Sequence, residues 1–291
     1  GHALDEIENK YGVSKNILLA VWAIESDFGR ADLTFSSLKA LAYQSYFSNR
    51  KEYFYTETVE LINSLQGGLV SFSEIKSSPM GALGQPQFMP SSFNRFAVDS
   101  DFDGKIDIWN SKEDTLGSIA NFLDKNGWVE GLDWGNEITT PSDFPCYLEG
   151  PDNMRKTSKW YSNGVRKIKK NSPANFSKNT ETSLLFPKGE YGPKFLVTKN
   201  FYALKSYNNS DLYALYVGHL SDLIDGKVNK FAASWKNSSP INKKDIFSLQ
   251  KQLINSGYNV GSYDGLIGHK TRRSLGLWQK TMSKKVTCFP S

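Results

Sequence analysis

The clearest hydrophobic pattern lies near the start of the chain, where apolar residues recur at the spacing of a helix. Ile17, Val21 and Phe28 stand at positions i, i+4 and i+11, which places them on one helical face. Gly29 follows where a glycine can end a helix in a left-handed conformation. The pattern predicts a helix over residues 15–28 with one face in the core.

Glu25 stands on this apolar stripe, eight positions after Ile17. Burial disfavours an ionised carboxylate and raises its pKa, which suits a general acid working near neutral pH. A buried glutamate paired with Arg30 fits the same spacing. Asp27 lies about 200° around the helix from Glu25, so we expect it to be a solvated surface residue. If Glu25 is catalytic, it is expected to act alone.

The rest of the chain changes character twice. Helix-like patterns continue to about residue 130, whereas residues 140–200 are rich in Pro, Lys, Asn and Ser and predict short strands and long loops. Helical periodicity returns over 210–224. Asn237-Ser-Ser-Pro240 then predicts a linker before a last segment, 241–291.

Composition and charge exclude several classes of protein. The longest apolar run has eight residues and ends at Ile24, short of the roughly 20 that a transmembrane helix needs. Zinc-site, thioredoxin-type, nucleotide-binding and esterase motifs are absent. The formal net charge of +5 permits a polyanionic partner, whether nucleic acid, anionic lipid or a carboxylate-bearing cell-wall polymer. The basic run Arg166–Lys170 lacks interleaved aromatic residues, so we expect no nucleic-acid partner. Of the catalytic chemistries considered, the one that these exclusions leave is catalysis by carboxylate groups.

Four longer motifs follow one another along the chain. They are Tyr11-Gly-Val13, Ile24-Glu-Ser-Asp-Phe-Gly-Arg30, Met80-Gly-Ala-Leu-Gly-Gln-Pro-Gln-Phe-Met-Pro-Ser-Ser92 and Ala120-Asn-Phe-Leu-Asp-Lys-Asn-Gly-Trp128. Together they resemble the lytic murein transglycosylase B family over about residues 3 to 230. The resemblance implies a mainly α (α+β) fold with a lysozyme-like catalytic domain over residues 3–236. That domain would contain a loop- and β-rich part at about 140–200.

The resemblance also implies an activity. The family cleaves the MurNAc–GlcNAc bond of peptidoglycan and leaves a 1,6-anhydro-muramoyl end, and Glu25 resembles its single catalytic acid/base. No cofactor is implied for the chemistry. Two alternatives remain open: a hydrolytic muramidase, and a wall-binding scaffold with a degenerate site. The implied location is the bacterial periplasm, with lipid anchoring of the native form left open. The implied partners are peptidoglycan and proteins of cell-wall synthesis.

Substrate-binding residues are implied position by position. Gln87 and Ser78 match residues near the scissile bond, and Phe122 stands where the family has a tyrosine, so it keeps the ring and loses the hydroxyl. The family's Arg-Arg-x-x-Tyr pattern departs at Asn49. The implied set is Arg50, Tyr53, Ser78, Gln87, Phe122, Tyr207, Asn208 and Tyr213.

A calcium-like loop begins at Asp99. Its acids and the Gly at its sixth position follow the first nine positions of an EF-hand loop, but Asn110 stands where the closing glutamate is expected. Glu113 can close a longer loop, and the matching family region is a metal-binding loop of this lengthened kind. A metal-free turn is the alternative. The predicted ligands of a structural Ca²⁺ are Asp99, Asp101, Asp103, Lys105, Asp107 and Glu113.

The last segment carries a second resemblance. Its motifs are Asp245-Ile-Phe-Ser-Leu-Gln-Lys-Gln-Leu253, Gly257-Tyr258, Tyr263-Asp-Gly-Leu-Ile-Gly268 and Trp278-Gln279. They resemble a small three-helix peptidoglycan-binding domain over residues 241–291. We expect this domain to fold separately and to tether the enzyme to its polymer. Cys146 and Cys288 are expected as two separate thiols, with a bridge in an oxidising compartment as the alternative.

Overall fold

Contacts within the chain divide it into two units, residues 1–131 and 132–291. The computed structural model describes residues 2–72, 75–168, 176–227, 230–235 and 241–290. The end of the basic run and the predicted linker at 237–240 lie outside the described residues. Each unit is described in turn.

The first unit is built from helices around an apolar core. Leu18, Leu41, Leu61 and Ile119 come from different helices and are fully buried. A short antiparallel pair, in which Phe35 aligns with Ser77, adds the only regular strands described in this unit. The elements are α1 (His2–Tyr11), α2 (Lys15–Ser26), β1 (Phe35–Ser36), α3 (Ser37–Phe47), α4 (Lys51–Gln66), β2 (Lys76–Ser77), α5 (Pro90–Phe96) and α6 (Lys112–Lys125).

Helix α2 ends two residues earlier than its apolar pattern predicts. The predicted end at Phe28 is wrong because Asp27 and Phe28 both adopt left-handed backbone conformations, with φ of 51° and 58°. Gly29 continues this turn with φ of 78°, which confirms its left-handed geometry. The N–H of Asp27 still donates to the carbonyl of Ala23, so the last turn of the helix is satisfied.

The second unit combines a five-stranded antiparallel sheet with helices. The sheet has the order β4-β6-β7-β3-β5, and Leu184 pairs with Leu196 at its centre. Its buried face packs on Trp160. The elements are β3 (Gly135–Thr139), β4 (Arg155–Lys156), α7 (Thr157–Ser162), β5 (Arg166–Lys167), β6 (Glu181–Leu185), β7 (Lys194–Val197), α8 (Lys199–Tyr207), α9 (Asp211–Ile224), α10 (Lys243–Asn255) and α11 (His269–Thr281).

The segment after residue 240 forms a small module with two helices. Leu253, Val260 and Leu275 make its own small core. The expected third helix is absent from described residues 241–290 because the connection between α10 and α11 is a loop, in which Gly257 and Gly265 have φ of 84° and 72°. Separate folding of this module stays a prediction.

A disulfide and a buried ion-pair cluster are among the links between the module and the rest of the second unit. Cys146 and Cys288 form a disulfide, so the expectation of two separate thiols is wrong. Sequence spacing alone could not bring together two cysteines 142 positions apart. Buried Arg272 donates to both carboxylate oxygens of Glu149 at 2.8 and 2.9 Å, and to Asp211 at 2.8 Å.

The predicted mainly α fold is confirmed. Of the strands described in the second unit, β4 to β7 lie inside the region 140–200 that the sequence marks as loop- and β-rich, and β3 ends just before it. Among the described residues, no helix combines the length and apolar character needed to span a bilayer.

Candidate active site

Glu25 lies in the last turn of α2 and is half-buried. Asp27 is exposed, as predicted, and its carboxylate accepts a hydrogen bond from Nη2 of Arg30 at 2.7 Å. Nε of Arg30 donates to the carbonyl of Asp27 as well. The guanidinium that the alternative interpretation pairs with Glu25 is therefore engaged by Asp27. The raised pKa expected for Glu25 stays a prediction.

The glycine-rich turn between β2 and α5 is held tightly against its surroundings. A methyl group on Gly81 would overlap the side chain of Leu41, and one on Gly84 would press on Ile108. Gln87 has a φ of 53°, and its Nε2 donates to the carbonyl of Gly84 at 2.9 Å. A non-glycine residue in this conformation is strained, and such residues cluster at functional sites. The turn thus fixes Gln87 in one orientation.

Ser78 begins the same turn. Its backbone N–H donates to the carbonyl of Ala82 at 2.9 Å, and its hydroxyl accepts from the N–H of Ala82 at 3.2 Å. The backbone N–H of Gly81 donates to the carbonyl of Ser78. Ser78 and Gln87, both predicted from the resemblance, therefore lie at the two ends of one short hydrogen-bonded turn.

Gln85, between them, is a residue that sequence reasoning missed. It is buried, its Oε1 accepts from Nε1 of Trp22 at 2.8 Å, and its Nε2 donates to the carbonyl of Trp109 at 2.8 Å. A methyl group on Gly29 would overlap the amide of Gln85. No local pattern separates Gln85 from Gln87, because the partners of Gln85 are distant in sequence.

Glu57 is a second residue that the sequence did not reveal. It is 3% exposed, and its two oxygens accept from the backbone N–H and the hydroxyl of Ser91 at 2.9 and 2.8 Å. A carboxylate at the first turn of α5 satisfies a free backbone N–H and favours the helix dipole. Glu57 thereby joins α4 to α5, the helix that follows Gln87.

Arg50 and Tyr53 stand together at the start of α4. The guanidinium carbon of Arg50 lies 4.0 Å from the centroid of the Tyr53 ring, a cation–π arrangement. Burial and the charge of Glu57 raise the pKa of the Tyr53 hydroxyl. The two side chains line a surface depression of about 440 Å³ between residues 48 and 53. An anionic group is the ligand that such a site favours.

Phe122 is placed differently from the other predicted site residues. It is buried, and its ring centroid lies 4.8 Å from that of Phe96 and 5.7 Å from that of Phe88. Phe88 directly follows Gln87. The ring of Phe122 thus supports the turn from the core side.

Tyr207, Asn208 and Tyr213 lie in the second unit, where α8 passes into α9. The two tyrosine rings are stacked, with centroids 6.3 Å apart and an angle of 15° between their planes. Asn208 ends α8, and Ser210 caps α9 through the backbone N–H of Tyr213. This turn therefore presents two parallel rings and an amide together.

The acidic loop from Asp99 to Asp114 is ordered by its own carboxylates. Asp99 and Asp101 accept from backbone N–H groups inside the loop. Asp114 accepts from the N–H groups of Ser100 and Asp107, both at 2.7 Å. Burial raises the pKa of Asp114. Ser111 caps α6 through the N–H of Asp114.

The loop offers a cation an oxygen site. Carboxylate oxygens of Asp99, Asp101 and Asp114 lie within 4.8 Å of one another, and Oδ1 of Asp99 is buried without a hydrogen-bond partner. An all-oxygen set of carboxylates suits a hard cation such as Ca²⁺. Among the described residues the cluster contains Asp114, which the sequence did not predict as a ligand. It does not contain Glu113, which the sequence did predict. Asp107 turns its carboxylate to Trp109 and Asn110 instead.

Comparison with known proteins gives a family and several relatives. A model of the transglycosylase SLT domain matches residues 1–222. The membrane-bound lytic murein transglycosylase B of Escherichia coli K12 is 29% identical over 224 residues, which are 76% of this chain and 60% of that protein. The chain therefore spans less than two thirds of the length of this relative.

Solved structures are similar as well. SltB3 from Pseudomonas aeruginosa in complex with NAG-NAM-pentapeptide matches with a TM-score of 0.89 and 34% identity, over 100% of this chain and 78% of that one. SltB3 in complex with NAG-anhNAM-pentapeptide matches with a TM-score of 0.87 and 34% identity, over 99% and 77% of the two chains. Escherichia coli lytic transglycosylase Slt35 in complex with calcium matches with a TM-score of 0.65 and 27% identity, over 77% and 70%.

Proposed function

Because the chain belongs to the transglycosylase SLT domain family, we propose that it is a peptidoglycan lytic transglycosylase. It cleaves the β-1,4 bond between MurNAc and GlcNAc and leaves a 1,6-anhydro ring on the muramoyl sugar. Support comes from the E. coli relative, which is named a lytic murein transglycosylase, and from the P. aeruginosa relative, which binds muropeptides with and without the anhydro ring.

Glu25 carries both proton transfers in this reaction. As an acid it protonates the glycosidic oxygen while the bond from that oxygen to C1 breaks. As a carboxylate it then takes the proton of the C6 hydroxyl, whose oxygen bonds to C1. The C6 hydroxyl belongs to the same sugar, so its high effective concentration replaces a positioned water.

The observation that carries the proposal is the placement of the two acids at the end of α2. Glu25 is half-buried, whereas Asp27 is exposed and bonded to Arg30. Hydrolytic glycosidases generally use two carboxylates, about 5 to 9.5 Å apart, that face one sugar ring. The nearest acid in sequence, Asp27 just after the helix, is engaged by Arg30. This favours the mechanism that needs a single carboxylate.

The predicted site residues other than the buried Phe122 bind and orient the glycan. Ser78 and Gln87 contact the sugars beside the scissile bond from the glycine-rich turn. Tyr207, Asn208 and Tyr213 bind glycan through their stacked rings and amide. Arg50 binds a carboxylate of a stem peptide, which suits its exposed guanidinium. The last segment, residues 241–291, binds the same polymer. The protein acts in the bacterial periplasm.

The acidic loop holds a structural Ca²⁺ in this proposal. The supports are the carboxylate cluster of Asp99, Asp101 and Asp114, the buried unpartnered oxygen of Asp99, and the calcium complex of the related Slt35. The ion supplies no step of the chemistry. Bound there, it would neutralise the crowded carboxylates and so fix the loop, which contains Trp109.

Mass spectrometry of digested sacculi tests the proposed reaction. Purified protein is incubated with sacculi, and the released muropeptides are analysed without reduction. Products that end in 1,6-anhydroMurNAc are expected. Reducing MurNAc ends would show a hydrolase, and no release by the wild-type protein would show a binding scaffold. Either result would overturn the proposal.

A further inference from the structure

The end of the catalytic helix α2 is bracketed by one buried side chain, that of Gln85. Trp22, whose indole N–H donates to Gln85, lies three positions before Glu25 and so next to it on the helix surface. Gly29, which leaves room for the Gln85 amide, lies four positions after Glu25. Gln85 thus touches the chain on both sides of the proposed acid/base.

The other side of Gln85 is fixed to two residues inside the acidic loop, Ile108 and Trp109. Its backbone N–H donates to the carbonyl of Ile108 at 2.8 Å, and its Nε2 donates to the carbonyl of Trp109. Ile108 is itself fully buried, and its carbonyl also accepts from the hydroxyl of Thr115 at 3.2 Å. The amide therefore connects α2 to a backbone segment that is held in place by its own contacts.

Both ends of the amide are needed for this connection. The oxygen accepts from Trp22 while the nitrogen donates to Trp109, a pair of bonds that neither an apolar residue nor a charged carboxylate makes. The backbone at the end of α2 is also strained, since Asp27 and Phe28 are left-handed without being glycines. Strained backbone keeps its conformation only where its neighbours determine it.

We propose that Gln85 is a positioning residue for Glu25, which holds the end of α2 in the orientation the reaction needs by joining Trp22 to the carbonyl of Trp109. The inference rests on the proposed function, because it gives Glu25 the role of acid/base. Gln85 itself does not contact the sugar. Its effect passes through Trp22 and the turn at Gly29.

The first test compares Gln85→Met with a matched control. Methionine fills a similar volume and makes neither hydrogen bond. The control is Asn94→Leu, since the amide of Asn94 likewise joins two helices of the first unit, through Glu60 and Ser64. With soluble muropeptide oligomers, we expect Gln85→Met to lower kcat by about 10- to 100-fold with KM changed less than about threefold, because small misplacements of a catalytic group have effects of this size. Asn94→Leu should lower the melting temperature and leave kcat within about twofold.

Gln85→Glu adds a readout that a merely structural role would not move. A protonated carboxyl can accept from Trp22 and donate to the carbonyl of Trp109, whereas the ionised form can only accept. Burial next to a carbonyl favours the protonated form. The ratio of kcat for Gln85→Glu to that of the wild type should therefore rise as the pH is lowered from about 8 to about 5.

A spectroscopic test keeps this inference separate from the proposed reaction. The carboxyl carbon of Glu25 is followed by NMR in protein labelled at its glutamates and is assigned by its loss in Glu25→Gln. Gln85→Met should shift the titration midpoint of this signal, and Asn94→Leu should not. If the wild type releases no anhydro products, the proposed function fails and this titration still decides the role of Gln85.

The inference is overturned if Gln85→Met and Asn94→Leu have equal kcat and the Glu25 titration is the same in both. A flat pH dependence of the Gln85→Glu ratio would count against it equally. Should Gln85→Met fail to fold, Trp22→Phe removes the same hydrogen bond from the other side and must then lower kcat and shift the Glu25 signal. Normal values for that variant would refute the proposal.

Discussion

Replacing Arg272 with methionine should strongly destabilise the second unit. Arg272 is 2% exposed and Glu149 0%, so neither charge is solvated. Four hydrogen bonds hold the guanidinium: two to Glu149, one to Asp211 and one to the carbonyl of Ile267. Burial raises the pKa of Asp211, but the charges of Arg272 and Lys205 outweigh this and hold it below its ordinary value.

The size of the effect follows from what the variant leaves behind. Methionine removes the positive charge and leaves the carboxylate of Glu149 buried, with the backbone N–H of Phe186 as a remaining donor. Removing one partner of a buried ion pair costs about 3–5 kcal/mol. For a domain of about 150–250 residues, each kcal/mol lowers the melting temperature by about 2–4 °C, so a decrease of roughly 6–20 °C is expected.

The neighbouring arginine provides the control. Arg273 pairs with Asp152 at 2.8 Å, but these side chains are 25% and 58% exposed. Exposed pairs contribute about 0–1 kcal/mol, so Arg273→Met should barely change the stability. Circular dichroism without reductant measures both variants: thermal melts give the melting temperature, and denaturant unfolding gives the free energy of unfolding. The double variant Arg272→Met/Glu149→Gln should recover part of the loss, because it buries no uncompensated charge. Equal midpoints for Arg272→Met and Arg273→Met would refute the reasoning.

Three other predictions concern the acid/base, the acidic loop and a buried carboxyl. Glu25→Gln should lower turnover by about 10⁴-fold or more while sacculus binding survives, whereas Asp27→Asn should keep turnover within a few-fold of the wild type. Release of anhydromuropeptides measures both variants, and the reverse pattern would show that Glu25 is not the catalytic acid. Excess chelator should lower the melting temperature relative to millimolar Ca²⁺, and identical melts with no calorimetric binding signal would exclude the metal site. Burial raises the pKa of Asp222 to about 7. Between about pH 4 and about pH 7 the folded state therefore retains a proton that the unfolded state has lost. The stability of the fold falls as the pH rises through this interval. Asp222→Asn should therefore raise the melting temperature at about pH 8 and leave it unchanged near pH 4; an equal change at both would contradict the assignment.

Short-range patterns explain which features the sequence could predict. The apolar stripe that carries Glu25 needs only the helical period. The end of α2 was predicted less well, because the apolar period continues to Phe28 whereas the backbone reverses its handedness at Asp27. Periodicity describes which face a residue occupies and contains no information on chirality.

Long-range contacts explain what the sequence could not predict. Gln85 is 63 positions from Trp22 and 24 from Trp109, and no local period encodes such partners. Arg272 and Arg273 are adjacent and chemically identical, yet one is buried in an ion-pair cluster and the other is at the surface. Their difference depends on Glu149, which is 123 positions away from Arg272.

The disulfide between Cys146 and Cys288 has a mechanical consequence. The small module is held at both ends of its own sequence: the chain enters it at residue 241, and Cys288 returns it to the sheet region. A module attached at one point can swivel on its linker, whereas one attached at two points cannot turn freely. If the module binds a glycan strand that is under tension, the force is transmitted to the sheet region through the disulfide and the Arg272 ion-pair cluster. The module then acts as a fixed guide for the strand instead of a loose tether.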